Sequence, residues 1–443
     1  MYDLLITNGD VLHVSEAGEV QIWRRQDVAI TGRYITAMEP HGVLPADEAL
    51  EVIDAFGTVV MPGLINTHSH VPMVIFRGLG EDVSLERWFN DYIWPLESNL
   101  QEEDVYWGML LGLVEMIEAG VTCVADHYFY MTQAAQAVEE AGTRAALAWV
   151  VFGSQGDAAL DESAAFASDW QGAAGGRITT WMAPHAPYTC DDAFLATSVE
   201  RARQAGTGIH IHVSETEAQT QASLKNRGIT PIRVLEETGI LSVPTILAHA
   251  VGATPDDIEL LAQRDCGIAH CPKTYMKLAM GTAPVTAFRQ ACIPVGLATD
   301  GAVSNNTLDV WESMRLMAMT QKQAQGEAEV MPIADVLKVA TRESASVVGL
   351  DRQIGAIEPG YLADVILVDT SGAHMQPLHS ITAGLVYASR ASDVRTVIVN
   401  GKVIMRDRRL LTLDKGEIIK QVNNSMLRLA QRTPGKRIQV YSP

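Results

Sequence analysis

The chain of 443 residues contains only five cysteines, and none of them belongs to a Cys-x-x-Cys pair. An odd number without paired spacing offers no framework for disulfides, for a zinc cluster or for a dithiol redox motif. A chain of this length can bury a large core without such cross-links. We therefore expect free thiols, a reducing compartment and a cytoplasmic protein.

Positive charge is also scarce. The chain has 33 lysines and arginines against 53 aspartates and glutamates, which gives a formal net charge of −20. Such a surface repels nucleic-acid backbones and anionic membranes. No run approaches the roughly 20 apolar residues of a membrane helix, and the start lacks the basic and apolar regions of a secretion signal. The expected partner is a small molecule, with no nucleic acid and no membrane.

Both ends of the chain share a local pattern in which short apolar runs flank a turn pair. Asn8-Gly9 and Thr31-Gly32 separate such runs near the start, and Asn400-Gly401 separates two more near the end. Pairs of this kind between β-branched runs are typical of β-hairpins. The sequence therefore predicts β-structure at both termini.

Between these ends, short apolar runs alternate with helical stretches, which is typical of a parallel sheet wrapped by helices. The candidate strands are 59–61, 121–124, 146–149, 180–182, 209–212, 245–248, 267–269 and 295–298. Eight such strands predict an α/β fold of the (β/α)₈ or TIM-barrel class. The chemistry of such barrels lies at the carboxyl ends of the strands.

Polar residues follow these strands with unusual regularity, and they are His68, His70, His185, His212, His249, His270 and Asp300. Any one histidine could be an ordinary buried residue, but their joint placement favours a site at one mouth of the barrel. In His68-Ser69-His70 the two imidazoles share a face of an extended chain and can reach one ion.

The string MPGLINTHSH at 61–70 closely resembles the signature of the amidohydrolase superfamily. The resemblance continues in order along nearly the whole chain, toward the branch of methylthioadenosine/S-adenosylhomocysteine deaminases and s-triazine hydrolases. Its further motifs are PLE (95–97), PHAPY (184–188), HIHVSET (210–216), AH (248–249), HCP (270–272), KL (277–278), APV (283–285) and TDGAVSNN (299–306).

This resemblance implies a distorted barrel that carries a small β-sandwich formed from both termini. The expected divisions are 1–58 for the first part of the sandwich, 59–355 for the metal-dependent barrel, and 356–443 for the second part with a C-terminal helix. We also expect the chain to assemble as a homo-oligomer.

The resemblance further implies one divalent ion, zinc or iron, and its ligands are His68, His70, His212 and Asp300. Three imidazoles and one carboxylate suit such a metal, which activates water for attack. Relatives with two metals carry a bridging lysine after the fourth strand, but 177–190 contains no lysine. His185 is the notable polar residue there, so we expect a single ion.

The family's catalytic roles fall on three residues of this chain. Glu215 would protonate the substrate ring nitrogen, Asp300 would move a proton from water to the leaving amine, and His249 would orient the water. Glu97 and His185 correspond to substrate contacts.

Ordinary structural roles remain open for several of these residues. Glu215 could instead be a carboxylate favoured by a helix N-terminus, and Glu97 could belong to a run of surface acids. His270 would contact the substrate or support the site from behind. His127, after the second strand, is either structural or part of the site.

The chain departs from the branch where other members grip the amino-acid carboxylate of adenosylhomocysteine with arginines. Trp149 stands at the first of these positions, and 150–170 contains no lysine or arginine. His270-Cys271-Pro272 also differs from the more common His-Asn-Pro. We therefore expect Trp149 to stack on a ring that lacks an amino-acid tail.

Three functions are compatible with this pattern. The first is hydrolytic deamination of a purine, its nucleoside, a pterin or a related heterocycle, with release of ammonia. The second is an s-triazine-type hydrolase that expels chloride or an alkylamine. The third is a catalytically silent binding protein on the same fold. Retention of the proposed proton-transferring residues favours deamination, because an amine leaves poorly without a proton.

Overall fold

Two sheets account for the strands of the chain, which a computed structural model describes over residues 1–430. The strands are β1 (Tyr2–Val14), β2 (Val20–Thr31), β3 (Tyr34–Pro40), β4 (Ala49–Asp54), β5 (Thr58–Pro62), β6 (Leu64–Ser69), β7 (Val121–Tyr128), β8 (Arg144–Val151), β9 (Ile178–Pro184), β10 (Ile209–Val213), β11 (Thr245–His249), β12 (Cys266–His270), β13 (Val295–Leu297), β14 (Val365–Asp369), β15 (Val394–Val399), β16 (Lys402–Arg406) and β17 (Arg409–Leu410).

Helices separate the strands of the central part of the chain. They are α1 (Leu85–Arg87), α2 (Trp94–Glu97), α3 (Glu102–Glu118), α4 (Met131–Ala141), α5 (Gly156–Trp170), α6 (Ala173–Gly176), α7 (Asp192–Ala205), α8 (Glu217–Arg227), α9 (Pro231–Glu237), α10 (Pro255–Leu261), α11 (Pro272–Lys277), α12 (Val285–Gln290), α13 (Val310–Gln325), α14 (Ile333–Lys338), α15 (Ser344–Val347), α16 (Ile381–Tyr387) and α17 (Lys415–Ala430). Within residues 1–430, no helix has the length and apolar composition of a membrane span.

Strands β6 to β13 form a parallel sheet in sequential order. Almost every residue of these strands is buried, because helices cover the outside and side chains fill the inside. The first and last strands meet through Asn66 of β6 and Thr299, which follows β13: Asn66 Nδ2 donates to Thr299 Oγ1 (2.7 Å), and the Thr299 N–H donates to Asn66 Oδ1 (3.0 Å). The predicted distorted (β/α)₈ barrel is therefore confirmed.

The other sheet has nine strands and takes them from both ends of the chain, β1 to β5 and β14 to β17. Its two halves join where β14 pairs antiparallel with β5. A second core lies here and includes Ile6, Val28, Val365 and Ile398, which are fully buried. This core encloses side chains from both termini, as the β-sandwich prediction requires.

The predicted turn pairs have different outcomes. Thr31-Gly32 joins β2 to β3, and Asn400-Gly401 joins β15 to β16, both as antiparallel hairpins. Asn8-Gly9 instead lies inside β1, where Asn8 has a φ of 62° and the register with β2 shifts. That prediction was wrong, because the same residue types also form bulges within a strand.

The run at 59–61 is not a barrel strand but part of β5 in the terminal sheet. The first barrel strand is β6, one turn later, and it carries His68. Gly63 makes this transition possible, since a Cβ there would lie 2.1 Å from Thr122 Oγ1. The hydrophobic pattern of a short buried run does not show which sheet the run joins. The divisions at 58/59 and 355/356 remain a prediction, and 431–443 lie outside the described residues.

A buried ion pair connects the barrel to the terminal sheet. Arg144, at the start of β8, donates from Nε and Nη2 to both carboxylate oxygens of Asp364, at 2.8 and 3.0 Å. Both side chains are at most 2% exposed. Asp364 Oδ1 also accepts the N–H of Asn400, so the pair anchors the β15–β16 turn as well.

Candidate metal and active site

A cavity opens at the carboxyl ends of the barrel strands. Its polar lining contains His70, Glu97, His127, His185, His212, Glu215, His249, Thr274, Asp300 and Ser304. Most of the predicted site residues therefore meet at one mouth, as the topology of a parallel barrel requires. No lysine or arginine occurs among the described residues that line it.

The four predicted metal ligands converge at the floor of this cavity. His70 Nε2 lies 3.3 Å from His212 Nε2 and 3.2 Å from Asp300 Oδ1, and His68 Nε2 lies 3.7 Å from the same Asp300 oxygen. Donor atoms that share one ion with bonds of about 2.1 Å lie about 3 to 4 Å apart. These three distances are therefore compatible with one shared ion.

Each imidazole is held from behind through its Nδ1. His70 Nδ1 lies 2.5 Å from the carbonyl of His127, and His212 Nδ1 lies 2.9 Å from the carbonyl of His185. Because a carbonyl only accepts, Nδ1 carries the proton in both rings, and the lone pair of Nε2 points at the shared centre. His68 Nδ1 contacts His210 Nε2 at 2.8 Å, and His68 Nε2 is buried without a hydrogen-bond partner.

The pKa shifts of the site residues also favour a bound cation. Burial lowers the pKa of His68 and His212 far below the usual value, so both rings are neutral. Burial alone would also lower the pKa of His70, but the hydrogen bond and charge of Asp300 raise it to about 9. Burial alone would raise the pKa of Asp300, and His70 lowers it to about 2. The Asp300 carboxylate thus favours a positive charge at His70 Nε2, which is either a proton or, in its place, a divalent ion bound by the neighbouring lone pairs.

Three residues at the mouth adopt left-handed backbone conformations that non-glycine residues rarely use. They are Ser214 (φ 45°), His249 (φ 78°) and Asp300 (φ 63°), at or just after the ends of β10, β11 and β13. Strained backbone of this kind persists where the surrounding structure holds it and concentrates at functional sites. In Asp300 the carboxylate is held further by the N–H of Gly301 and the hydroxyl of Ser304, at 2.8 and 2.9 Å.

Glu215 and His249 flank the four converging groups. Glu215 precedes α8, is 4% exposed, and lines the cavity. Glu215 therefore lies on the cavity wall, two residues before α8, and not within the first turn of that helix. A ring nitrogen of His249 lies within 4.8 Å of nitrogens of His68 and His212.

Glu97 and His185 stand on the wall of the cavity. Tyr128 donates its hydroxyl to Glu97 Oε1 at 2.7 Å, and burial raises the pKa of Glu97 to about 7. The ring of His185 stacks on Phe152 with centroids 4.4 Å apart. The remainder of the wall is apolar: Met73, Leu85, Trp88, Phe89, Ile93, Trp94, Phe129, Val150, Leu278 and Met280.

Two predicted substrate contacts do not reach the cavity. Trp149 packs its ring against Phe166 of α5, with centroids 5.7 Å apart, while its neighbour Val150 lines the cavity. Successive side chains of a strand point to opposite faces of the sheet. A shift of one residue therefore moves a side chain from the barrel interior to the outer face that packs against the helices. His270 is buried behind the lining, with its ring 5.3 Å from that of Tyr275.

The sequence patterns did not identify His210 as part of the site, and they left the role of His127 open. His127 lines the cavity, with a ring nitrogen within 4.8 Å of nitrogens of His70 and His212. His210 holds His68 from behind. The sequence could have identified His210, because residues two apart on a strand share a face and His212 was already a predicted metal ligand.

Comparison with known proteins agrees with this geometry. The sequence profile of the amidohydrolase family matches residues 59–404. A 5-methylthioadenosine/S-adenosylhomocysteine deaminase of Pelotomaculum thermopropionicum is 42% identical over 435 residues, or 98% of this chain and 100% of that relative. A 5'-deoxyadenosine deaminase of Methanosarcina mazei is 40% identical over 437 residues, or 98% and 99%. The crystal structure of an adenosine deaminase from Xanthomonas campestris with bound zinc superimposes with a TM-score of 0.92 at 30% identity, over 97% of this chain and 99% of that one.

Proposed function

The chain belongs to the amidohydrolase family and is a hydrolytic deaminase of an amino-substituted nitrogen heterocycle, and we propose that its substrate is an adenosine whose 5′ end carries no charge. The single observation behind this choice is the character of the cavity. It joins a metal donor set and two acids to an apolar wall without a cationic side chain among its described lining residues.

The proposed mechanism assigns one task to each polar group. His68, His70, His212 and Asp300 would hold a divalent ion, which when bound supplies Lewis-acid activation of the attacking water. Glu215 gives a proton to the ring nitrogen beside the carbon under attack. Asp300 accepts a proton from the water and passes it to the amino group, which leaves as ammonia. As the C–N bond breaks, the hydroxyl added to the ring carbon loses its proton and becomes the carbonyl, and this proton restores the acid form of Glu215. His249 donates a hydrogen bond that orients the water.

The wall of the cavity supports the choice of substrate. Adenosylhomocysteine carries an amino-acid carboxylate, and burying it without a cation or hydrogen-bond donors is costly. Lys273, in α11, and Arg77 are not among the described residues that line the cavity, and both pair with acids: Lys273 with Glu312 at 2.6 Å and Arg77 with Glu115. A methylthio or methyl group at the 5′ carbon instead suits aromatic and aliphatic contacts.

Steady-state kinetics on one metal-loaded preparation tests this proposal. Ammonia release would be measured for methylthioadenosine, 5′-deoxyadenosine, adenosine, a pterin and adenosylhomocysteine, with chloride release from a chloro-s-triazine measured in parallel. We expect the highest kcat/KM for an uncharged adenosine. A preference for adenosylhomocysteine would contradict the substrate proposal, and faster triazine hydrolysis would favour the second function.

We further propose that the ion is zinc and that each chain binds one. The donor set of three imidazoles and one carboxylate suits zinc, although it also accommodates iron. Elemental analysis of protein purified without added metal should give one equivalent of zinc. Replacing His212 by Ala should remove both metal and turnover. Two equivalents, or full activity after thorough chelation, would contradict the proposal.

We also propose a cytoplasmic homo-oligomer. The five cysteines are free thiols in the structure, which agrees with a reducing compartment. Light scattering after size exclusion would show the assembly, and a mass equal to one chain would refute it.

A further inference from the structure

Gln219 makes two hydrogen bonds to Glu215, four residues earlier in the chain. The backbone N–H of Glu215 donates to Gln219 Oε1 at 2.9 Å, and Gln219 Nε2 donates to Glu215 Oε1 at 3.3 Å. Gln219 is 5% exposed and Glu215 is 4% exposed, so both side chains are largely withdrawn from solvent.

The two bonds together determine which way the Gln219 amide points. A backbone N–H only donates, so the amide oxygen must face it, and the amide nitrogen must then face the carboxylate. Glu215 Oε1 is therefore an acceptor. A protonated Glu215 carries its proton on Oε2, because a proton on Oε1 would meet the amide N–H.

We propose that Gln219 is a positioning residue for the deamination, which keeps the transferable proton of Glu215 on Oε2. This inference rests on the proposed function, in which Glu215 protonates the substrate ring. Gln219 does not line the substrate cavity; it lines a neighbouring cavity beside Ser214 and Tyr188. Its influence on the reaction must therefore pass through Glu215.

The surroundings of Gln219 hold it in place for this task. It is in the first turn of α8, where its backbone N–H donates to the Thr216 hydroxyl at 3.1 Å. The next residue, Thr220, donates its hydroxyl to the carbonyl of Gly252 at 2.8 Å. A side chain on Gly252 would collide with both threonines, since its Cβ would lie 2.5 Å from Thr220 Oγ1 and 2.6 Å from the Thr216 carbonyl oxygen. The start of α8 is thus packed closely against the loop after β11.

Two variants of Gln219 separate a positioning role from a structural one. Gln219→Glu keeps an acceptor for the Glu215 N–H but, when ionised, loses the donor to Oε1. Gln219→Met keeps the approximate size and loses both bonds. Gln221→Glu is the matched control, because it adds the same charge at an exposed position of the same helix. Each variant is assayed as the zinc-loaded full chain for kcat, KM, zinc content and thermal stability between about pH 5 and pH 9.

We expect Gln219→Glu to lower kcat about ten-fold above pH 7 and to change KM less than about two-fold, since a displaced acid proton costs part of the usual 10²-fold or greater benefit of a general acid. As the pH falls, one of the two adjacent carboxyls takes up a proton and again donates to the other. The ratio of variant to wild-type kcat should therefore rise at low pH. Gln219→Met should lose kcat without this recovery, and Gln221→Glu should match the wild type.

The Glu215→Gln variant separates a failure of the Gln219 positioning role from a failure of the proposed function. If it loses turnover while both Gln219 variants keep wild-type kcat, the positioning role is wrong and the proposed function stands. A parallel loss of kcat, zinc and thermal stability in both Gln219 variants, with no dependence on pH, would also overturn the positioning role. If Glu215→Gln keeps wild-type turnover, the acid assignment of the proposed function fails, and this inference fails with it.

Discussion

His210 offers a direct test of the proposed metal site, because it is a side chain that holds a histidine ligand, His68, from behind. His70 and His212 are oriented by backbone carbonyls, which substitution cannot remove, whereas His68 Nδ1 contacts the ring of His210 at 2.8 Å. If His68 binds the ion through Nε2, its Nδ1 carries the proton and donates it to His210 Nε2. His210→Phe keeps a ring of similar size and removes this acceptor. His210→Gln places an amide oxygen near the same point and should restore part of the contact.

The structure gives the expected magnitude for His210→Phe. His210 and His68 are both fully buried, so the N–H of His68 would find no water in place of the lost acceptor. An unsatisfied buried donor costs about 1 to 3 kcal/mol, which corresponds to about 5- to 150-fold in a binding constant. Loss of an outer partner of a metal ligand typically weakens metal affinity by about 10- to 100-fold. The two ranges overlap, and we expect the zinc Kd to rise about 10- to 100-fold.

Competition between the protein and a zinc-binding dye measures that Kd. His270→Phe is the control, since His270 is equally buried in the barrel but makes no hydrogen bond to the four proposed ligands in the described structure. We expect His270→Phe to retain the wild-type zinc affinity and His210→Gln to lie between the wild type and His210→Phe. An unchanged Kd in His210→Phe would refute the reasoning that orients His68 through His210.

Three further predictions concern activity and stability. Burial raises the pKa of Glu97 to about 7, so this carboxyl group is protonated below that pH and ionised above it. If the anion accepts a hydrogen bond from a substrate hydroxyl, kcat/KM for an adenosine should rise as the pH passes through about 7, and the Glu97→Gln variant should not show this rise. Asp364→Asn leaves its arginine partner buried without a counter-charge and should lower the free energy of unfolding in urea by about 3 to 5 kcal/mol, whereas Asp161→Asn, at an exposed pair, should cost less than about 1 kcal/mol. Glu215→Gln should retain zinc and lose at least about 10²-fold in turnover, whereas Asp300→Asn should lose both zinc and turnover.

The site could be predicted from the sequence because its donors occupy positions that the barrel topology defines. His68 and His212 lie at the carboxyl ends of β6 and β10, and Asp300 follows β13. These ends meet at one mouth, so proximity in space follows from strand order along the chain. The apolar runs that mark those strands are continuous because both faces of a parallel barrel strand are buried. Neither inference requires knowledge of any side-chain angle.

The parts that were mispredicted depend on information that is not local. The run at 59–61 and a true barrel strand have the same composition, and only pairing with β14, some 300 residues later, places it in the terminal sheet. Asn8-Gly9 has the residue types of a turn, but continued pairing of β1 with β2 makes it a bulge. His210 belongs to the site through its contact with His68, which is 142 positions away.

The misplacement of Trp149 shows why the substrate proposal survives an error of register. Trp149 was expected to supply an aromatic wall, yet it faces α5, and Val150 faces the cavity instead. The aromatic surface comes from other segments, among them Trp88 and Phe152, which the strand pattern did not identify. Exclusion of a carboxylate depends on something different, namely the absence of lysine and arginine from the described lining. A shift of one residue along β8 exchanges tryptophan for valine and introduces no cation, so the expected preference for an uncharged 5′ end follows from either register.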